Sequence, residues 1–84
     1  MRLIFTFERG GENVTNVDLL RQVLDRIKPK RTQLAAAMGV SMPTFYSRIS
    51  GKSEFTAPEI LALSDALGLT KEERDAIFFA VMVN

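Results

Sequence analysis

The sequence contains no cysteine, no histidine and no tryptophan. The absence of cysteine and histidine excludes disulfides, thiol chemistry, imidazole catalysis and the usual zinc ligand sets. The carboxylates of Glu72, Glu73 and Asp75 lie close together in the sequence, but no nucleophile or phosphate-binding loop accompanies them. We therefore expect a protein that is not an enzyme and that needs no cofactor and no metal ion.

Long hydrophobic runs are also missing. No segment approaches the roughly 20 apolar residues of a transmembrane helix. Glu8 interrupts the short apolar stretch 3–7 too early for the core of a signal peptide. Hydrophobic residues nevertheless make up 46% of the 84 residues and charged residues 25%, a balance typical of a folded domain. We expect one small domain located in the cytoplasm.

The formal net charge of +1 conceals an uneven distribution along the chain. Residues 1–53 carry nine Lys and Arg against four Asp and Glu, which gives +5. Residues 54–84 carry two Lys and Arg against six Asp and Glu, which gives −4. A basic surface attracts phosphate groups whatever their sequence context, and an acidic surface is repelled by them. The asymmetry fits either nucleic-acid binding by the first part of the chain or an ordinary mixed surface.

Apolar periodicity and capping residues predict five short helices. Ser or Thr precedes most of the apolar segments, and Gly or Pro follows them. The predicted limits are a start near Thr15 or Asn16 with an end at Pro29, then Thr32 to Gly39, Ser41 to Gly51, Thr56 to Gly68, and a start at Thr70. Thr56 with Glu59, and Thr70 with Glu73, match the capping box. These limits predict an all-α bundle with short loops.

Residues 1–13 do not follow the helical pattern and form an N-terminal extension in front of a domain that spans residues 14–84. The stretch 3–7 is typical of a short β-strand, which would pair with the apolar segment 79–83 or with a second subunit. Alternatively, residues 1–13 are a translated leader, because codons for residues 8–14 can contain a purine-rich ribosome-binding site followed by a GUG start at Val14. Mass spectrometry of the protein made from its own gene distinguishes the two.

The segment Thr32 to Ile49 has the features of a helix-turn-helix. The small Ala35 lets two helices approach closely, Gly39 permits the turn between them, and Val40 fills the space between the helices. The apolar residues of the two helices then supply a shared core, which we expect to include Leu34, Met38, Phe45 and Ile49. The segment therefore predicts two short helices packed across a tight turn.

An Ala four residues before the turn Gly, a short turn and a second helix with matching apolar positions resemble the helix-turn-helix of the phage Cro and repressor family. The runs 50–60, 67–70 and 72–79 also look like those of small phage-type regulators of Gram-positive bacteria. The resemblance extends from Val14 to about Phe79. It implies a five-helix, lambda-repressor-like DNA-binding domain, with or without the short N-terminal strand described above.

The resemblance also implies roles for individual residues, because the third helix then serves as the recognition helix in the major groove of DNA. Residues 42–52 would face the DNA. The implied base-reading residues are Ser41, Met42, Pro43, Thr44, Tyr46, Ser47 and Arg48. The implied phosphate-contacting residues are Arg31, Thr32, Gln33 and Lys52. Arg48 fits either role, since its guanidinium pairs with guanine or with phosphate.

The chain departs from the family pattern at two places. Arg31 stands where the family often has Gln, and Gln33 follows two residues later. The pair Met42 and Pro43 replaces a polar pair at the start of the recognition helix. These departures shift the expected base reading toward Tyr46, Ser47 and Arg48, and toward recognition of DNA shape.

The leading hypothesis is therefore a sequence-specific transcriptional regulator that binds double-stranded DNA as a homodimer. The resemblance implies a Cro-like repressor of a phage or prophage, bound to an inverted-repeat operator whose half-sites lie about one helical turn apart. The alternative is a protein-interaction modulator that binds a partner phage repressor and has little DNA binding of its own. The apolar C-terminus slightly favours this alternative.

Overall fold

The computed structural model of the protein describes residues 15–79 and contains five α-helices within them. The helices are α1 (Val17–Ile27), α2 (Arg31–Met38), α3 (Met42–Ile49), α4 (Ala57–Leu67) and α5 (Lys71–Phe78). The predicted all-α fold is confirmed. No helix within residues 15–79 combines the length and apolar character needed to cross a membrane. The predicted strand in residues 1–13 lies outside the described residues, as do residues 80–83 of the segment predicted to pair with it.

The N-terminal caps of four helices are those the sequence predicts. Asn16 caps α1 by accepting a hydrogen bond from the Leu19 amide at 3.0 Å, and Ser41 caps α3 in the same way. Both capping boxes are present, at the start of α4 and at the start of α5. Each cap satisfies amide groups that have no partner within the helix.

The predicted N-cap of α2 is wrong. The helix begins at Arg31, and the residue in front of it, Lys30, has extended backbone and makes no side-chain cap. The carbonyl of Lys30 already accepts hydrogen bonds from the amides of Gln33 and Leu34, at 3.1 and 3.2 Å. Thr32 therefore lies inside the first turn, where its hydroxyl no longer occupies the capping position.

Two further helix ends differ from the sequence prediction in detail. Helix α3 ends at Ile49 rather than at Gly51, because Ser50 forms its C-cap. At the end of α1 the residue in front of Pro29 is Lys28, which has a positive φ of 54° and donates its amide to the Leu24 carbonyl at 2.8 Å. This left-handed position is usually taken by Gly.

The core is built from all five helices and from Phe55 in the loop between α3 and α4. Helix α2 packs mainly on α4, while α1 contacts both α3 and α5. The rings of Phe55 and Phe78 meet edge to face, with their centroids 5.0 Å apart. The buried apolar residues are Leu20, Val23, Leu24, Leu34, Ala35, Met38, Phe45, Phe55, Ile60, Leu63, Leu67, Ile77 and Phe78.

The first and last helices are joined by one backbone hydrogen bond. The amide of Asn16, immediately before α1, donates to the carbonyl of Ile77 near the end of α5 at 2.6 Å. Helices α2, α3 and α4 lie in the chain between these two residues. The bond therefore ties together the two ends of the described chain.

Candidate nucleic-acid interface

Helices α2 and α3 are linked by a tight turn of the predicted kind. Gly39 adopts the left-handed conformation with φ 75°, and the amide of Val40 donates to the Ala35 carbonyl at 3.0 Å. Ala35 is buried and Val40 packs against the core as a partly buried residue. The turn fixes α3 as a separate helix on the surface, directly after α2 in the chain.

Helix α3 has an inner and an outer face. Phe45 is fully buried, and Met42 and Ile49 pack against the core beside it. Pro43 and Tyr46, three residues apart, lie on the outer face, and Tyr46 is 48% exposed to solvent. The outer face therefore presents a large aromatic side chain and its hydroxyl to solvent.

An open cleft of about 570 Å³ lies between α1 and α3, and we call it the α1–α3 cleft. Its α3 wall contains the stripe Pro43, Tyr46, Ser47 and Ser50, together with Ile49. Its other residues are Arg21, Leu24 and Asp25 of α1, the first residue of α2, Arg31, and Lys52 from the loop after α3. The cleft thus brings together Arg31, Pro43, Tyr46, Ser47 and Lys52, which the resemblance implied as DNA-contacting residues.

Several positive side chains near α3 have no acidic partner, whereas those elsewhere in residues 15–79 are paired with a carboxylate. Among residues 15–79, the Lys and Arg side chains without a carboxylate in salt-bridge range are Lys28, Lys30, Arg31 and Lys52. All of them lie between the end of α1 and the loop after α3. In α5, by contrast, Lys71 and Arg74 both contact Asp75, at 3.7 and 3.3 Å. Uncompensated positive charge is therefore concentrated around the helix-turn-helix.

Arg48 differs from the other implied base-reading residues because its guanidinium is bound within the protein. Its Nε donates to Oε1 of Glu59 at 2.7 Å, its Nη2 to Oε2 of the same carboxylate at 3.3 Å, and its Nη1 to the Ser53 hydroxyl at 2.7 Å. Both charged side chains are largely buried. The hydrogen bond from Arg48 lowers the pKa of Glu59, and the same bond raises the pKa of Arg48.

Glu59 both pairs with Arg48 and caps helix α4. Its Oε1 also accepts the Thr56 amide at 3.0 Å and so completes the capping box of α4. Ser47 is held nearby, because its hydroxyl lies 2.8 Å from that of Ser53. We call the residues Ser47, Arg48, Ser53 and Glu59 the α3–α4 clamp, since they link the end of α3 to the start of α4.

The remaining implied site residues are distributed more widely. Ser41 and Thr44 bond to each other at the start of α3, with 3.1 Å between their hydroxyl oxygens. Met42 is turned partly toward the core, and Thr32 and Gln33 are exposed on α2 without lining the cleft. The structure adds Arg21 and Asp25 of α1 to the cleft. Sequence spacing gave no signal for them, because only the packing of α1 beside α3 brings them there.

Comparison with known proteins adds no family assignment to this geometry. No family model, no curated protein and no solved structure matches the chain.

Proposed function

We propose that the protein binds double-stranded DNA, with the outer face of α3 in the major groove. The observation that carries the proposal is the combination of an exposed aromatic and hydroxyl surface on α3 with uncompensated cations on its borders. Such a surface supplies hydrogen-bonding groups for base edges and positive charge for phosphates. The paired charges of α5 make the opposite end of the chain a poorer partner for DNA.

The individual roles follow from where each side chain lies. Tyr46 is the principal base-reading candidate, because its exposed side chain carries a hydroxyl that donates or accepts a hydrogen bond. Ser47 is a weaker candidate, because its hydroxyl already bonds to that of Ser53. Arg31 and Lys52, on the same cleft, are assigned to phosphates. Arg48 is assigned to positioning α3 through the α3–α4 clamp rather than to reading bases, since its guanidinium already has two protein partners.

The finer proposal is a cytoplasmic, homodimeric transcriptional regulator of the Cro-like phage type. Short recognition helices read few base pairs, and a twofold pair of them reads an inverted repeat with half-sites about one helical turn apart. The resemblance of residues 14–79 to phage regulators supports this proposal. A repressor role requires only that the bound dimer block transcription, so no cofactor is needed.

Fluorescence anisotropy tests DNA binding with two labelled duplexes, one from the DNA upstream of the gene and one of random sequence. We expect tighter binding to the upstream duplex and weaker binding to both as salt concentration rises. Tyr46→Ala should weaken binding to the upstream duplex by roughly 1–3 kcal/mol, whereas Gln22→Ala, on the side of α1 away from the α1–α3 cleft, should leave it unchanged. Absence of binding to either duplex at low salt would contradict the proposal.

A second candidate function is the binding of a partner repressor, and an exposed apolar surface favours it. Leu61 of α4 is 59% exposed and borders a groove of about 230 Å³ that Ile60 and Phe79 also line. Mobility-shift assays with and without a candidate partner repressor separate the two functions. A regulator shifts DNA alone, whereas a modulator changes only the shift produced by its partner.

A further inference from the structure

We propose that the α1–α3 cleft holds a phosphate group of the DNA backbone and that Arg21 of α1 is one of its ligands. This inference rests on the proposed DNA-binding function and extends it to a helix outside the helix-turn-helix. It assigns α1 to one wall of a phosphate site whose other wall is α3.

Cations from three separate segments converge on this cleft. Arg21 comes from α1, Arg31 is the first residue of α2, and Lys52 lies in the loop after α3. Neither Arg31 nor Lys52 has a carboxylate in salt-bridge range within residues 15–79. A phosphate suits this set of cations, because its oxygens accept several hydrogen bonds and both guanidinium and ammonium groups donate to them.

Arg21 is able to exchange its present partner for a phosphate. Its Nη1 lies 3.6 Å from Asp18 Oδ1, and both side chains are largely exposed to solvent. An exposed ion pair of this length contributes little free energy. The guanidinium can therefore turn from Asp18 toward an anion in the cleft at low cost, which distinguishes Arg21 from the firmly bound Arg48.

Asp25 lies in the same cleft, and its negative charge provides a second test of the phosphate site. It has no salt-bridge partner among the described residues, and its negative charge is opposite in sign to the cations that line the same cleft. A phosphate in the cleft would be repelled by this carboxylate. Removing the charge of Asp25 should therefore strengthen DNA binding, whereas removing that of Arg21 should weaken it.

Helix α1 offers a matched control for Arg21. Arg26 is also an arginine of α1, its side chain is 60% exposed against 62% for Arg21, and it also contacts one carboxylate at 3.6 Å. It lies on the other side of the helix, beside Glu73 of α5 and away from the α1–α3 cleft. Arg21→Ala and Arg26→Ala therefore remove the same charge from two places.

The experiment measures binding of the parent chain and of Arg21→Ala, Arg26→Ala and Asp25→Asn to the labelled random-sequence duplex between about 50 and about 200 mM salt. Loss of one phosphate contact should make the slope of log affinity against log salt less steep by about 0.9. Over this fourfold salt range the variant should therefore lose about 3.5-fold less affinity than the parent. We expect this reduction for Arg21→Ala alone, parent-like slopes for Arg26→Ala, and tighter binding for Asp25→Asn. Thermal unfolding of each variant establishes that its fold is intact.

The outcomes separate this inference from the function on which it rests. If the parent binds DNA but the two arginine variants have equal slopes, the phosphate site is overturned and DNA binding stands. Weaker binding by Asp25→Asn overturns the site as well. If the parent binds neither the random-sequence nor the upstream duplex, the proposed function and the phosphate site are both overturned.

Discussion

At the scale of single residues, two glycines share a left-handed backbone but differ in their surroundings. Gly39 has φ 75° and open space where a Cβ would stand, whereas a Cβ on Gly51, with φ 89°, would lie 3.1 Å from Val17 Cγ2. We expect Gly39→Ala to lower the free energy of unfolding by about 1 kcal/mol through backbone strain alone. Gly51→Ala should cost more, because Val17 must also move. Urea unfolding measures both, and equal losses would contradict the expectation.

Lys28 is a non-glycine residue in the left-handed region at the end of α1. Lys28→Gly should relieve its backbone strain, whereas Lys28→Ala removes the same charge and keeps the strain. We expect the glycine variant to be more stable than the alanine variant by about 1 kcal/mol, measured by thermal unfolding. If the proposed function holds, both variants should bind DNA equally, because they lack the same cation. A more stable alanine variant would show that the strain is unimportant.

At the scale of elements, the α3–α4 clamp fixes α3 against α4. Arg48→Ala leaves the mostly buried carboxylate of Glu59 without its main partner, and we expect a loss of about 2 kcal/mol in unfolding free energy. In a domain of this size that loss corresponds to a fall of roughly 10 °C in Tm. The exposed pair of Arg26 and Glu73 supplies the control, since Arg26→Ala should change Tm little. Similar effects of the two variants would argue against the clamp.

The same clamp predicts how stability depends on pH. The hydrogen bond from Arg48 lowers the pKa of Glu59 in the folded protein, while in the unfolded chain it is about 4.3. As pH falls, Glu59 therefore takes up a proton in the unfolded chain before it does so in the folded protein. The clamp contributes its full stabilisation above about pH 5, and this contribution is lost as pH falls through the pKa of Glu59 in the folded protein. Glu59→Gln should therefore be less stable than the parent near neutral pH, and the difference should shrink in acid.

Thermal unfolding from neutral to acidic pH measures this difference, with Glu54→Gln as the control. Glu54 is exposed and has no salt-bridge partner within residues 15–79. Its variant should follow the parent throughout. A Glu59→Gln deficit that stays constant across the pH range would show that the ionised carboxylate does not contribute through the clamp.

These elements also show where sequence patterns suffice. The caps at Asn16, Ser41, Thr56 and Thr70 were predictable because each depends on residues within one turn of the chain. The start of α2 was missed because Thr32 is a good capping residue that lies two residues after the true N-cap, and that N-cap, Lys30, makes no side-chain cap.

The candidate site was predictable only in part. Tyr46 on the outer face of α3 follows from helical periodicity, since Phe45 and Ile49 define the inner face. The pairing of Arg48 with Glu59, eleven residues away, does not follow, because it depends on how α3 meets α4 in space. The place of Arg21 in the α1–α3 cleft depends likewise on the packing of α1.

At the scale of the whole molecule, the exposed Leu61 is a candidate contact between two subunits. A homodimer that uses the surface of α4 and α5 would bury Leu61 and its adjoining groove. Leu61→Glu should then yield a monomer with an unchanged helical spectrum, because the side chain is already 59% exposed. Sedimentation or light scattering measures the mass, with Glu72→Gln as the control, because Glu72 is exposed on the side of α5 beside α1 and away from the groove at Leu61. A dimer that persists in Leu61→Glu would place the interface elsewhere.

The hydrogen bond from the Asn16 amide to the Ile77 carbonyl has a consequence for how the molecule opens. It joins residues far apart in the chain, so it forms only after the loop that contains α2, α3 and α4 has closed. Local unfolding of α5 and local unfolding of the start of α1 should therefore occur together. Deuterium exchange at the Asn16 amide reports that event, and its protection should match that of the α5 amides rather than that of neighbouring turns.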